Sequence, residues 1–149
     1  RGDKVYEPGT TLTRKDVLSE LPFGNVTVLV ELFGADLRAA LENGVSQIED
    51  TAGRFPQVSG MTFVFDATKP AGDRIDEVKI GGQALDPARM YTVATNDFML
   101  GGGDGYASLG NGKVLIDSSA GTLLATTVMN YIAAQGGVMT KLEGRITAK

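Results

Sequence analysis

One aromatic side chain and one carboxylate in a glycine-rich stretch are the groups of this sequence best suited to ligand chemistry. The stretch runs from Asn96 to Tyr106 and contains Phe98 and Asp104 on either side of Gly101-Gly102-Gly103. Glycines let the backbone approach a ligand closely, and a single carboxylate there suits hydrogen-bond donors such as a sugar diol better than an anion. The stretch lacks the lysine and the glycine spacing of a phosphate-binding loop. A tight structural turn is the alternative interpretation.

A second candidate is Leu21-Pro22-Phe23-Gly24-Asn25, which lies between a predicted helix end and a predicted strand start. Side chains at such ends are often presented to ligands. By pattern alone, however, Phe23 is expected to fold into the core and Asn25 to be an ordinary turn residue. The segment 53–60 is interpreted as an irregular lead-in to a strand, with Arg54 in solvent.

Composition narrows the classes of function. The chain has 149 residues, no histidine and no cysteine, so it cannot by itself build a Ser-His-Asp, Cys-His or histidine-metal site. Carboxylates for calcium or magnesium and Ser-Lys chemistry stay open. A net charge of −4 and a pI near 4.8 argue against binding a nucleic acid polymer. No apolar run is long enough for a membrane span, no signal-peptide pattern is present, and Arg1 is expected to follow a cut inside a longer chain.

The local elements that must position these residues can be predicted in order. Thr13 and Asp16 form a capping-box pattern that opens a helix through Glu20, which Pro22 stops. Alternating apolar residues predict a strand over 26–32, and apolar positions at spacings of three and four predict a helix after Gly34. Its polar residues are expected to face solvent: Asp36, Arg38, Glu42 and Asn43.

The second half predicts hairpins and one more helix. Strands are expected at 61–65, 75–80, 83–85, 91–95 and 145–147. Ser118 or Ser119 is expected to cap a long helix that ends at Gly136-Gly137. This order predicts a single α+β domain with a mixed β-sheet flanked by helices.

Four motifs together resemble the C-terminal domain of the 5'-nucleotidase family, which includes UDP-sugar hydrolases and 2',3'-cyclic-nucleotide phosphodiesterases. They lie in the family's order and spacing, and the resemblance runs essentially end to end. The motifs are Leu21-Pro22-Phe23-Gly24-Asn25, Gly53-Arg54-Phe55-Pro56-Gln57-Val58-Ser59-Gly60-Met61, Lys69-Pro70-Ala71-Gly72-Asp73-Arg74, and Thr95-Asn96-Asp97-Phe98 with Gly102-Gly103-Asp104-Gly105-Tyr106.

The resemblance implies roles for three of these residues. Phe23 and Phe98 match the two phenylalanines that sandwich the nucleoside base, and Asp104 matches the aspartate that takes the ribose hydroxyls. Base stacking on aromatic rings is worth about 1–3 kcal/mol per base and tolerates different bases. The resemblance thus replaces the expectation of a buried Phe23 with that of an accessible ring.

It also implies two further contacts. Asn25 matches the residue that touches the base edge in bacterial members, where other members have glycine. Arg1, twenty-two positions before Phe23, matches the arginine that reaches the substrate phosphate. Asp97 departs from the small residue, such as serine or asparagine, that is expected next to the second base-stacking phenylalanine.

The resemblance finally implies a larger protein. Hydrolysis in this family takes place at two divalent metal ions in an N-terminal metallophosphoesterase domain. Residues 1–149 are therefore expected to be the substrate-specificity domain, without catalytic or metal-ligating residues, in a periplasmic, cell-wall or secreted enzyme. Its expected partners are a nucleotide or nucleoside substrate and its own catalytic domain. The alternatives are a thiosulfohydrolase-like enzyme of the same architecture, or a non-catalytic binding module that reuses the fold.

Overall fold

The computed structural model describes residues 4–149, and its first helix begins as the sequence predicts. The Thr13 hydroxyl accepts the Asp16 N–H at 3.3 Å, and the Asp16 carboxylate accepts the Thr13 N–H at 2.9 Å. This reciprocal capping box pairs two N–H groups that the first turn of a helix leaves without partners.

The elements follow in the order α1 (Arg14–Glu20), β1 (Val26–Phe33), α2 (Gly34–Gly44), β2 (Met61–Phe65), β3 (Ile75–Ile80), β4 (Gln83–Ala84), β5 (Met90–Asn96), α3 (Asp97–Leu100), two 3₁₀ segments (Gly103–Gly105 and Ala107–Asn111), β6 (Lys113–Ile116), β7 (Thr122–Leu123), α4 (Leu124–Gln135) and β8 (Ile146–Ala148).

The first sheet is built around β1. It pairs antiparallel with β5 on one side and with β6 and β7 on the other. The register sets Thr27 of β1 opposite Asn96 of β5. Because β1 starts where β5 ends, the turn that contains Phe23 and the turn that contains Phe98 meet at one edge of this sheet.

The second sheet has the strand order β4-β3-β2-β8. β2, β3 and β4 form antiparallel hairpins, whereas β8 runs parallel to β2. The α+β prediction is confirmed, and the strands are divided between two sheets, of which the second is mixed.

Helix α2 joins the cores of the two sheets. Leu37 and Ala40 pack on the first sheet, and Leu41 packs on the second. The first core contains Val30, Leu32, Leu37, Ala40, Tyr106 and Leu109, and the second contains Leu41, Val45, Phe63, Phe65, Ile75 and Val78. The apolar spacing that predicted this helix therefore also predicted which face it buries.

The polar face of α2 is not solvated as predicted. The Glu42 carboxylate accepts the backbone N–H groups of Arg74 and Ile75, both at 2.9 Å, and Arg38 donates to the Ile75 carbonyl. Arg74 is itself buried and donates to the carbonyls of Val45 at 2.7 Å and Lys69 at 2.9 Å. Glu42 and Arg74 are withdrawn from solvent because α2 packs across the start of β3, where backbone groups take side-chain partners, whereas the Arg38 side chain stays partly exposed.

The final helix begins later than predicted. Ser119 does not cap it, because its N–H and hydroxyl both donate to the Asp117 carboxylate, at 2.8 and 2.6 Å, in a turn before β7. β7 pairs with the start of β1, so α4 begins only at Leu124. The predicted end is confirmed, with Gly136 in the left-handed conformation at φ 71°. No helix within residues 4–149 has the length and apolar character to cross a membrane.

Candidate functional site

Phe98 is presented at the surface by a one-turn helix. The Asn96 side chain caps this turn by accepting the Met99 N–H at 2.8 Å, and half of Phe98 is exposed. A β-carbon added at Gly103 would lie 2.5, 2.5 and 2.6 Å from Cε1, Cζ and Cε2 of the ring. Within the ring plane only the ring centre is equidistant from these three atoms, and it lies much closer to them, so the added carbon would lie over the ring face. The Gly103 backbone therefore covers one face of Phe98, and the opposite face is the one that a ligand can reach.

Phe23 is also exposed, with 64% of its surface accessible. It lies in the turn between α1 and β1, where Pro22 has ended the helix. The expectation from the sequence pattern alone, a Phe23 folded into the core, is therefore wrong. The accessible ring that the family resemblance implies is observed.

Asp97 links the two aromatic turns. Its carboxylate accepts the Val26 N–H at 2.9 Å and the Asn25 side-chain N–H at 3.3 Å. The Val26 N–H is the main cause that lowers the pKa of Asp97, because a hydrogen bond to the carboxylate stabilises its charged form. Its side chain thus fastens the segment after Phe23 to the residue before Phe98, and it directs the amide nitrogen of Asn25 toward itself. The sequence signalled this position only as a departure from the family pattern.

Asp104 lies in a tight loop with an unusual backbone. Its φ of 51° and ψ of 25° are left-handed, and Gly102 and Gly105 on either side have φ of 87° and 82°. Aspartate is one of the few residues other than glycine that tolerate this region. The side chain is exposed, while its backbone carbonyl accepts the Asn43 side-chain N–H at 3.0 Å.

A pocket of about 580 Å³ opens beside Asp104 and is lined by Ala52, Gly53, Arg54 and Asp104. Arg54 is half-buried rather than solvated as predicted, because Nη1 donates to Oδ1 of Asn43 at 3.3 Å. The hydroxyl of buried Tyr106 donates to the Arg54 carbonyl at 2.6 Å. Burial raises the pKa of this Tyr106 hydroxyl to about 12. Asp104 and Arg54, one acidic and one basic residue, thus line the same pocket.

A larger cavity of about 710 Å³ is lined by residues of both sheets, including Met61, Ile80 and Val93. No charged side chain of the described part of the chain lines it. Tyr91 and Tyr106 line this cavity, but neither is an exposed residue, and none of the described lining residues carries a carboxylate. The surface that contains Phe23, Phe98 and Asp104 is therefore the better candidate site.

Two remaining sequence expectations concern Arg1 and metals. Arg1 lies outside the described residues. Between residues 4 and 149, no group of three or more Asp or Glu side chains could hold a metal ion. The described site can stack a planar ring on Phe98 and accept hydrogen bonds from a diol at Asp104.

Known proteins similar to this chain share one kind of domain. A family model described as the 5'-nucleotidase C-terminal domain matches residues 1–111. The trifunctional nucleotide phosphoesterase protein YfkN of Bacillus subtilis is 35% identical over 145 residues, which cover 91% of this chain and 10% of that protein. A 5'-nucleotidase of Diplobatis ommata is 31% identical over 144 residues, which cover 91% of this chain and 25% of that protein.

A solved structure also matches the fold closely. The crystal structure of a 5'-nucleotidase precursor from Thermus thermophilus superposes with a TM-score of 0.85 at 40% identity, over 92% of this chain and 28% of that one. The chain thus spans between a tenth and about a quarter of the length of these curated relatives.

Proposed function

Because this chain belongs to the family of 5'-nucleotidase C-terminal domains, we propose that it is the nucleoside-binding specificity domain of a two-domain, metal-dependent 5'-nucleotidase. The observation that carries the proposal is the turn in which Phe98 rests one ring face on Gly103, next to the exposed Asp104. Asp97 ties that turn to the one that contains Phe23. An aromatic face and a carboxylate within a few residues suit a nucleoside, which has a planar base and a sugar diol.

Each proposed contact uses a different part of the substrate. Phe98 and Phe23 hold the base between their rings, with a stacking contribution of about 1–3 kcal/mol per base. Asp104 accepts hydrogen bonds from the ribose hydroxyls, and such charge-assisted bonds are roughly twice as strong as neutral ones. Asn25 contacts the base edge and Arg1 the phosphate.

Hydrolysis is proposed to take place outside this domain, in an N-terminal metallophosphoesterase domain with two divalent metal ions. When bound there, the ions supply an activated water for attack on phosphorus. Residues of this chain bind and orient the nucleoside, and a hinge rotation brings the phosphate to the ions. This domain alone is then a weak binder without hydrolytic activity, and the parent enzyme is proposed to be periplasmic, attached to the cell wall or secreted.

The first test is a calorimetric or NMR titration of the chain with adenosine, AMP and ribose 5-phosphate. We expect adenosine and AMP to bind and ribose 5-phosphate to bind far more weakly, because only the first two carry a base. If ribose 5-phosphate binds as well as AMP, the base site is refuted. If none of the three binds at millimolar concentration, the nucleoside-binding role of the chain is refuted, and a hydrolase for another substrate or a binding module replaces it.

The ribose contact is tested by the substitution Asp104→Asn. It keeps the shape of the side chain but removes the charge, so adenosine binding should weaken about tenfold, the contribution of one charge-assisted hydrogen bond. Binding of 2',3'-dideoxyadenosine, which has no hydroxyls at these positions, should change little. Equal losses for the two nucleosides would remove the ribose role of Asp104.

A further inference from the structure

We propose that Asn43 and Arg54 are positioning residues that hold Asp104 in the conformation from which it accepts the ribose hydroxyls. The proposal rests on the proposed function, since it concerns the same carboxylate. Neither residue belongs to the group that the sequence singled out for ligand contact. The Asn43 side chain bonds the backbone of the loop, and the Arg54 side chain bonds the Asn43 amide.

The conformation of Asp104 needs support because its backbone is left-handed, at φ 51° and ψ 25°. A residue with a β-carbon is disfavoured there relative to the right-handed region. These two angles set the direction of the Cα–Cβ bond, and the side-chain torsions can place the carboxylate only within reach of that bond. A loop that relaxed toward right-handed angles would redirect this bond and move the carboxylate away from the ribose of a nucleoside whose base is stacked on Phe98.

Asn43 provides a bond that favours the left-handed form. It lies at the end of α2, which is anchored in both cores, and its Nδ2 donates to the Asp104 carbonyl at 3.0 Å. The loop is seated closely on this side chain, because a β-carbon added at Gly105 would lie 2.6 Å from Oδ1 of Asn43. The contact thus combines a hydrogen bond with close packing from a rigid element.

Arg54 sets the orientation of the Asn43 amide. Its Nη1 donates to Oδ1 of Asn43 at 3.3 Å. A guanidinium has only donors, so it must face the amide oxygen and leave the amide nitrogen for the Asp104 carbonyl. Arg54 is held in turn by the buried Tyr106, whose hydroxyl donates to the Arg54 carbonyl at 2.6 Å.

These hydrogen bonds form a closed series that starts and ends at the loop that contains Asp104 and Tyr106. Tyr106 follows Asp104 by two residues and fixes the Arg54 backbone, and Arg54 orients the Asn43 amide that holds Asp104. Loss of Asn43 should therefore affect the ribose end of the ligand and leave the base end unchanged.

The test compares adenosine with 2',3'-dideoxyadenosine in calorimetric titrations of the chain. Asn43→Asp keeps the size of the side chain and an oxygen for Arg54, but it removes the donor to the Asp104 carbonyl. Asn43→Ala removes the donor without adding charge. Asn130→Asp makes the same charge change at an exposed position of α4 and serves as the control. Near-ultraviolet circular dichroism and thermal unfolding check that each variant is folded.

We expect both Asn43 variants to bind adenosine about three- to tenfold more weakly, the range for one hydrogen bond. Their affinity for 2',3'-dideoxyadenosine should stay at the wild-type value, and Asn130→Asp should change neither affinity. Arg54→Met should give the same selective loss. If both Asn43 variants unfold, the Arg54→Met variant alone tests the positioning role.

Other outcomes overturn the proposal at separate levels. An equal loss for both nucleosides in a folded Asn43 variant, or no loss for either, refutes the positioning role and leaves the proposed function intact. Equal wild-type affinity for the two nucleosides refutes the ribose role of Asp104 together with its positioning. A wild-type chain that binds neither nucleoside refutes the proposed function itself.

Discussion

Replacing Gly103 with alanine should displace the Phe98 ring while the fold persists. The new β-carbon would lie 2.5–2.6 Å from three ring carbons, whereas carbon atoms in contact are normally separated by about 3.5–4.0 Å. The ring must therefore retreat by roughly 1 Å or more from its present position. Gly103 does not belong to the glycines with positive φ, so the alanine backbone itself is tolerated.

The size of the effect follows from the exposure of the ring. Half of Phe98 is accessible, so the ring can turn into solvent at small cost in the free energy of unfolding. What is lost is the stacking surface for the base, a contribution of about 1–3 kcal/mol. The dissociation constant for adenosine should therefore rise roughly 5- to 150-fold.

The assay is calorimetric titration with adenosine, with thermal unfolding as the check on folding. Gly110→Ala is the matched control, because a β-carbon there meets nothing nearer than the Leu100 carbonyl at 3.7 Å. Phe98→Ala should lose about as much affinity, and the double variant no more than Phe98→Ala alone, since both changes remove one contact. A folded Gly103→Ala protein with wild-type affinity would refute the reasoning that the base stacks on the face of Phe98 opposite Gly103.

Three further predictions address the residues around the site. Asp97→Ala should weaken adenosine binding, because the Asn25 and Val26 N–H groups lose the carboxylate that ties the two aromatic turns. As the control, Asp117→Ala removes a turn-forming carboxylate before β7 and should leave the affinity unchanged in the same titration. Arg74→Ala should lower the free energy of unfolding by roughly 2–4 kcal/mol in urea, since each buried carbonyl left without its donor costs about 1–3 kcal/mol; an unchanged midpoint would contradict this. Burial raises the pKa of Tyr106 from 10.0 to about 12, so its stabilising contribution is complete below pH 10 and is lost as the pH rises toward 12. In that window the free energy of unfolding should fall by about 1.4 kcal/mol per pH unit more in the wild type than in Tyr106→Phe, and equal slopes for the two proteins would contradict this.

The sequence by itself determined the features that depend on neighbours along the chain. The capping box of Thr13 and Asp16 starts α1, Gly136 ends α4, and the apolar spacing of α2 identifies its buried face. These features rest on hydrogen bonds and periodicities within a few residues, which a sequence displays directly. The four motifs, in their order and spacing, were likewise sufficient to indicate the family.

The start of α4 shows where local reasoning ends. Ser119 is a favoured capping residue, yet Asp117 takes its hydroxyl, and the pairing of β7 with β1 delays the helix to Leu124. The same strand β1 brings Asn25 to Asp97 across 72 positions. A strand pairing between distant segments thus overrode one local preference and created one contact of the site.

Only the tertiary structure decided which side chains bond other segments of the protein and which are exposed to a ligand. Glu42, Asn43 and Arg54 all look like solvated surface residues in the sequence, but each takes a partner from another segment. Phe23, by contrast, has an apolar side chain of the kind usually found in a core, and it is exposed. The physical reason is that most buried polar groups need a hydrogen-bond partner. Asn43 and Asp104 are 61 positions apart in the sequence, so only the packed fold brings them within hydrogen-bond distance.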